Sequence, residues 1–329
     1  MTEIQACEFS LPNAPENLLG GRQVPSSNEK ATVPTLQTLS AKELLQMSVP
    51  PRTYALEPIL PFPGLAMIYA PRGLGKTYLA LSVSYAIAIG GRALRWNAPK
   101  ALRVLHVDGE MPVAALQERL QQIITGSQLH PPDEDQLRFL IGDLVPDGLP
   151  NIAAQEGMKA IEQIAADRDV IVLDNLSTLA AGMRENEADD WGSFQAWLMR
   201  MRRAGKLVVI IHHAGKSGSQ RGTSRREDAL DTVIALRHPE DYSSEEGARF
   251  ALHIEKARGA IGPDVAPLEA RLTDGPNGGL VWTFTSPSGG KKGQAVALLR
   301  QGRSIRGVAQ ATGLSKSAVG RLKEVQRHG

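Results

Sequence analysis

Leu65-Ala66-Met67-Ile68-Tyr69-Ala70-Pro71-Arg72-Gly73-Leu74-Gly75-Lys76-Thr77 joins a short uncharged run to a Gly-rich turn, and an apolar helical pattern follows from Leu79 to Ile89. The first five residues read as a buried strand. Between strand and helix, Ala70 to Thr77 has P-loop spacing, in which successive backbone N–H groups and a helix N-terminus wrap phosphate oxygens. Gly73 and Gly75 let the backbone approach, Lys76 reaches the β/γ-phosphates of ATP, and Thr77 holds Mg2+. Ala70 stands where the usual pattern has Gly, a small departure because a methyl at the strand end need not touch phosphate. The expected nucleotide-binding set is therefore Ala70, Pro71, Arg72, Gly73, Leu74, Gly75, Lys76 and Thr77.

Working outward, the same alternation repeats. Arg103–Val107, Leu137–Ile141, Val170–Leu173 and Leu207–Ile211 read as strands, with helices over Val113–Ile124, Ala153–Ala166 and Asp190–Ala204 between them. Such alternation predicts an α/β fold with a mostly parallel sheet covered on both faces. Asp231–Leu236, Ala248–Lys256 and Leu280–Thr285 carry β-branched residues beside turn signals and should extend the sheet. Ser40 and Glu43 have capping-box spacing and open a short helix through Met47. Residues 1–38, Pro-rich and without apolar period, read as a mobile arm, and Ser286–Gly290 reads as a linker. This divides the chain into an arm (1–38), an ATPase domain (39–285), a linker (286–293) and a C-terminal module (294–329).

Strand ends carry the candidate chemistry. Val170–Leu173 runs into Asp174-Asn175, the form of a Walker B strand whose carboxylate supports the metal. Arg103–Val107 runs into Asp108-Gly109-Glu110. Hydrolysis needs a group to orient or deprotonate water, and Glu110 is favoured over Asp108 because Gly109 frees the backbone to turn it into the cleft. A turn or capping carboxylate is the alternative. His212 and His213 end a further strand, where a polar side chain can contact the γ-phosphate; the Gly/Ser/Lys-rich stretch from Ala214 to Ser224 follows.

These elements together resemble the RecA-like ATPases, and within them the RepA-type hexameric plasmid helicases, over about residues 50–285. The resemblance implies a homo-oligomer, a hexamer in that family, with ATP and Mg2+ at Lys76, Thr77 and Asp174, and water activated by Glu110. It implies a γ-phosphate sensor at His213 or His212, and a loop from Lys216 to Ser224, including Arg221, facing a channel for single-stranded DNA. Ile254–Gly259 is similar to the Lys-x-Arg element by which such helicases insert a cationic finger into the neighbour's site. Lys256 would then help bind that nucleotide and Arg258 would act on its γ-phosphate. A basic strand end paired with a surface acid is the plainer reading.

Residues 289–329 carry nine Lys/Arg against Glu324 alone, a net +8, which leaves the rest of the chain at −6. A basic module that meets a polyanion fits this polarity, as does a solvated tail. Gln294–Arg300, Ser304–Ala311 and Ser315–Val325 read as three short helices, with Ser304 and Ser315 as caps and Gly313 in a tight turn. The module resembles the helix-turn-helix of resolvase-type recombinases. Lys316, Ser317 and Arg321 would then contact duplex DNA. Typical RepA-type helicases lack such a module.

Composition narrows the setting. With 42% apolar and 22% charged residues the chain can bury a full core. Its apolar runs are too short to span a bilayer, its N-terminus lacks a secretory pattern, and Cys7 as the single cysteine excludes an internal disulfide or a multi-Cys zinc site. A cytoplasmic location without membrane partners is expected. A DNA helicase or translocase of a mobile element leads, an ATP-switched DNA-binding regulator comes second, and a small-molecule kinase lacks any visible lid or acceptor pocket.

Overall fold

The P-loop strand lies inside a nine-stranded sheet, second in its row of six parallel strands. The computed structural model describes residues 38–183, 188–214, 227–239, 241–285, 295–296, 298–299 and 301–328. Lys216, Arg221, the linker and nearly all of the arm lie outside these residues.

The chain divides into two compact units, residues 1–50 and 51–329. In the first, α1 (Ala41–Gln46) has the expected capping box: Ser40 Oγ accepts from Glu43 N–H, and Ser40 N–H donates to Glu43 Oε2 at 2.7 Å. The second unit opens with the hairpin β1 (Thr53–Leu56) and β2 (Leu60–Phe62), then β3 (Gly64–Ala70) and α2 (Lys76–Ile89). A two-residue ribbon, β4 (Arg92–Ala93) and β5 (Trp96–Asn97), precedes β6 (Val104–Asp108), α3 (Val113–Ser127), β7 (Leu137–Ile141) and α4 (Gln155–Ile164). Next come β8 (Val170–Asp174), α5 (Leu176–Leu179), α6 (Ala188–Arg203) and β9 (Leu207–His213). The sheet then continues through β10 (Thr232–Arg237), β11 (Arg249–Ala257), β12 (Leu268–Asp274) and β13 (Leu280–Thr285).

Strand order is β13-β12-β11-β10-β3-β9-β8-β6-β7. From β10 to β7 all neighbours are parallel, and β11, β12 and β13 add antiparallel pairs beyond β10. The sheet is thus mixed but mostly parallel, a P-loop α/β core as expected. β12 was not expected: Leu268 and Ala270 are buried, while Glu269 and Arg271 point away from the core and dilute its apolar content.

Alternate residues of β3 feed opposite faces. Ala66 and Ile68 join Leu79, Val83 and Ile87 of α2, whereas Leu65 and Met67 join Phe194, Trp197 and Leu198 of α6. Phe194 and Trp197 are wholly buried, so α6 is anchored by its aromatic stripe. Near the C-terminus, α7 (Ile305–Thr312) and α8 (Lys316–His328) meet at Gly313. Their apolar residues Val308 and Val319 pack with Ala295 and Leu299 in a cluster of their own. Ser304 accepts from Gly307 N–H and Ser315 from Ala318 N–H, as the caps predict. Among the described residues no helix is long and apolar enough to cross a membrane.

Candidate active site

Parallel pairing brings the chemistry-bearing strand ends to one edge. Ala70 is in register with His213, and Asp108 with Asp174, so β3, β9, β8 and β6 deliver their last residues to a common cleft. This is the edge where open α/β sheets bind ligands. Gly73 and Gly75 have φ of +78° and +91°, a left-handed backbone that glycine adopts without strain and that carries the chain from β3 into α2. The resulting cavity, about 400 Å³, is lined by Gly73, Gly75, Lys76, Thr77, Asp108, Glu110, Asp174 and His213 among others.

Lys76 is folded back over its own loop, with Nζ donating to the carbonyls of Ala70 at 3.1 Å and Pro71 at 2.7 Å. Burial pulls its pKa down to about 8, against the opposing influence of Asp174 and Glu110. Arg72 also lines the cavity, whereas the Leu74 side chain is buried in the core, so Leu74 offers only backbone to a phosphate.

Asp174 is pushed up to about 7, first by burial and then by the Asp108 carboxylate beside it; the Thr77 hydroxyl donates to it and lowers it again. Buried Oδ2 atoms of Asp108 and Asp174 have no hydrogen-bond partner. Two hard oxygen donors with an adjacent hydroxyl suit Mg2+, which keeps several waters and binds through few protein groups. Thr77 and Asp174 therefore fit the metal expected there.

Asp108 is 1% exposed and accepts from the N–H groups of Glu110 at 2.9 Å and Met111 at 2.7 Å. Burial raises its pKa, and these two bonds oppose the rise. Its side chain thus shapes the turn, while that of Glu110, 56% exposed, faces the cavity. Gly109 does not have the positive φ that a need for backbone freedom would produce. It is required for room instead, since a Cβ there would meet Thr178 Oγ1 at 2.7 Å and Leu179 Cδ2 at 2.8 Å.

Glu110 Oε2 accepts from Asn175 Nδ2 and lies 3.8 Å from His213 Nε2. His213 has its pKa lowered by burial first and by Lys76 next, which keeps the ring neutral. Of the two candidate histidines, His213 lines the cavity and His212 is fully buried away from it. Sequence reasoning missed Asn175 and Arg119. Asn175 was visible as the residue after the Walker B aspartate; Arg119, 4.7 Å over the Tyr78 ring on the cavity wall, has no linear signal because α3 brings it there.

Lys256 and Arg258 stand elsewhere. β11 runs antiparallel to β10, so its end pairs Ala257 with Thr232 at the start of β10, the sheet edge opposite the P-loop. Lys256 Nζ donates to the carbonyls of Glu227 and Asp228, and Arg258 Nη2 to that of Asp228. On α8, Lys316, Ser317 and Arg321 are exposed, apart from the cavity.

A family model described as AAA domain (AAA_25) matches residues 30–219, more than half of the chain. The chain belongs to this AAA-domain family. Its P-loop, Walker B strand and nucleotide cavity are those of a P-loop ATPase domain of that family. A crystal structure of the flagellar accessory protein FlaH from Methanocaldococcus jannaschii is similar at 14% identity and TM-score 0.45, over 68% of this chain and 90% of that one.

Proposed function

We propose that this AAA-domain chain is an oligomeric, Mg2+-dependent ATPase that translocates on or unwinds DNA, serving plasmid or other mobile-element replication as RepA-type helicases do. One observation carries the reading: the nucleotide groups and the cationic pair lie at opposite edges of one sheet. Arg258 cannot reach its own P-loop, so a role in hydrolysis requires a neighbour's nucleotide, and activity then depends on assembly.

Within one subunit, the P-loop N–H groups and Lys76 hold the triphosphate, and Thr77 and Asp174 hold the metal. Mg2+, when bound, neutralises charge on the phosphate oxygens. Glu110 accepts the proton of the attacking water, with one carboxylate oxygen oriented by the Asn175 amide. Neutral His213 meets the γ-phosphate side of the cavity and leads into the stretch that contains Lys216 and Arg221, the proposed single-strand contacts. Exposed Lys316, Ser317 and Arg321 on α8 supply a duplex-docking surface, whose phosphate contacts the basic charge of this region favours.

A second reading, an ATP-switched DNA-binding regulator, is supported by the apolar cluster that the C-terminal helices form with one another. Native mass with and without ATP and single-stranded DNA, together with turnover, tests both. A ring with steady, single-strand-stimulated hydrolysis is the helicase outcome. Slow turnover with preference for one duplex sequence is the regulator outcome. In the ring, Glu110→Gln should bind ATP and lose about a hundredfold in turnover. Mixing it with Arg258→Ala should restore activity at interfaces that combine intact halves. A monomer insensitive to nucleotide sinks the oligomeric reading.

A further inference from the structure

β6 carries His106 two residues before Asp108, on the same face of the strand. That face meets α2. The His106 ring is wholly buried, its Nδ1 lies 2.9 Å from Ser84 Oγ, and the Phe139 ring flanks it at 5.5 Å. Hydrogen bonding fixes the tautomer. The Ser84 hydroxyl has one proton and donates it to the Ala80 carbonyl at 2.9 Å, so toward His106 it accepts, and Nδ1 carries the ring's proton. Burial pulls the ring's pKa down to about 3 and keeps it neutral. Nε2 is therefore a bare lone pair.

Two further acceptors stand beside it. Nε2, an oxygen of Asp108 and an oxygen of Asp174 all lie within 4.8 Å of one another, and all three residues are buried. Each aspartate is already engaged on one side: Asp108 Oδ1 accepts from the N–H groups of Glu110 and Met111, and Asp174 accepts from the Thr77 hydroxyl. Nε2 and both Oδ2 atoms have no donor among the described residues. The cations of the nucleotide cavity do not supply one. Lys76 donates to the Ala70 and Pro71 carbonyls, and Arg72 and Arg119 stand on the cavity wall, so that Arg72, Lys76 and Arg119 match Asp108, Glu110 and Asp174 in number. Net charge thus argues neither way. The local arrangement does, because buried acceptors this close together, with no donor between them, cost free energy that a shared cation offsets.

We propose that His106 Nε2, Asp108 Oδ2 and Asp174 Oδ2 bind a first-row divalent metal ion, Zn2+ or Mn2+, at a position separate from that of the Mg2+ beside Thr77. One neutral imidazole with two carboxylates suits these ions, whereas Mg2+ takes oxygen ligands and keeps its waters. The Ser84 hydroxyl holds the other ring nitrogen, the kind of contact that orients a metal-bound histidine. Asp174 serves both positions through its two oxygens. The inner ion therefore ties the Walker B carboxylate to β6 and, through His106 and Ser84, to α2. It requires neither a second copy of the chain nor DNA, so it stands apart from the oligomeric reading.

The experiment uses the full chain, stripped with EDTA and free of nucleotide. It is titrated with Co2+, which reports its ligands by visible absorption, and with Zn2+ by calorimetry, and it is melted with and without Zn2+. Wild type should bind either ion one-to-one and melt higher as Zn2+ rises. Mg2+ in about a thousandfold excess should not displace the ion, since it is poorly suited to imidazole. His106→Leu should lose both the cobalt absorption and the Zn2+-dependent rise in melting temperature. Ser84→Ala keeps every ligand but frees the ring, and should weaken affinity about ten- to a hundredfold. His213→Gln should bind as wild type does, which separates this site from the Glu110 and His213 pair on the cavity wall. If His106→Leu fails to fold, His106→Gln with Ser84→Ala carries the comparison. Wild-type affinity and absorption in the His106 variants overturn the proposal, as does loss of binding in His213→Gln or displacement by Mg2+, because the ion then sits in the nucleotide cavity. A wild type that binds neither ion also overturns it and leaves a shared proton between Nε2 and the aspartates.

Discussion

Asp174 and Lys76 face each other across the cavity with pKa values displaced toward one another, to about 7 and about 8. For Asp174 the folded state holds a proton that the unfolded chain releases near its ordinary value of 3.8. Its contribution to stability is therefore complete below that value and is lost as pH rises through about 7. Mg2+ needs this carboxylate ionised, and the triphosphate needs Lys76 charged. Affinity for Mg-ATP in the free chain should consequently climb as pH approaches about 7 and decline above about 8, a narrow bell seen by calorimetric titration. Asp174→Asn should flatten the acidic limb, and an affinity indifferent to pH below about 7 in the wild type counts against Asp174 as the metal support. Lys76, Thr77 and Asp174 were legible because each follows a strand at a fixed linear offset. The role of Asn175 was not, because its amide meets Glu110 from a different strand end, and the reason for Gly109 was misread because it lies in a contact with α5 rather than in the backbone.

Elements were legible wherever apolar period and turn chemistry agreed. β3 and α2 follow from an uncharged run and a Gly-rich turn, and α6 from the helical pattern over Asp190–Ala204. β12 escaped because a strand near the end of a sheet needs few buried residues, so Glu269 and Arg271 leave only Leu268 and Ala270 as its buried apolar positions. Those charges do structural work there. Arg249, at the start of β11, bonds Glu269 at 2.6 Å, Glu246 at 2.8 Å and Asp241 at 2.9 Å, tying the β10–β11 connection to β12. That connection ends at Gly247 and Ala248, which wall the nucleotide cavity beside Gly75. Arg249→Ala removes the guanidinium shared by Glu269, Glu246 and Asp241 and should cost about 1–3 kcal/mol of stability, the range for hydrogen bonds to charged groups. It should also raise the KM for ATP several-fold by loosening the wall. Thermal denaturation and steady-state kinetics check the two effects, and an unchanged KM would detach the β10–β11 connection from nucleotide binding.

At the scale of the whole molecule, alternation of strands and helices announced a parallel sheet, but strand order did not follow from it. Order is set by long-range pairing: β3 lies between β10 and β9, and the next strand of this sheet in sequence, β6, lies three positions away. The caps and turn of the C-terminal helices, by contrast, were legible from Ser304, Gly313 and Ser315, and these helices pack Val308, Val319, Ala295 and Leu299 into a cluster that shares no residue with the sheet's cores. Deleting residues 287–329 should therefore leave the melting temperature and basal ATPase of the remaining chain close to those of the full protein, because every group of the nucleotide cavity precedes Ser286. What happens with DNA divides the two functional readings. In a helicase, stimulation of hydrolysis by single strands persists after the deletion and only duplex docking weakens, with a shallower salt dependence as basic contacts are lost. In an ATP-switched regulator, specific duplex binding vanishes and no DNA dependence remains. Loss of folding on deletion contradicts both, since it would mean that Val308, Val319 and their neighbours close the ATPase core instead of a module of their own.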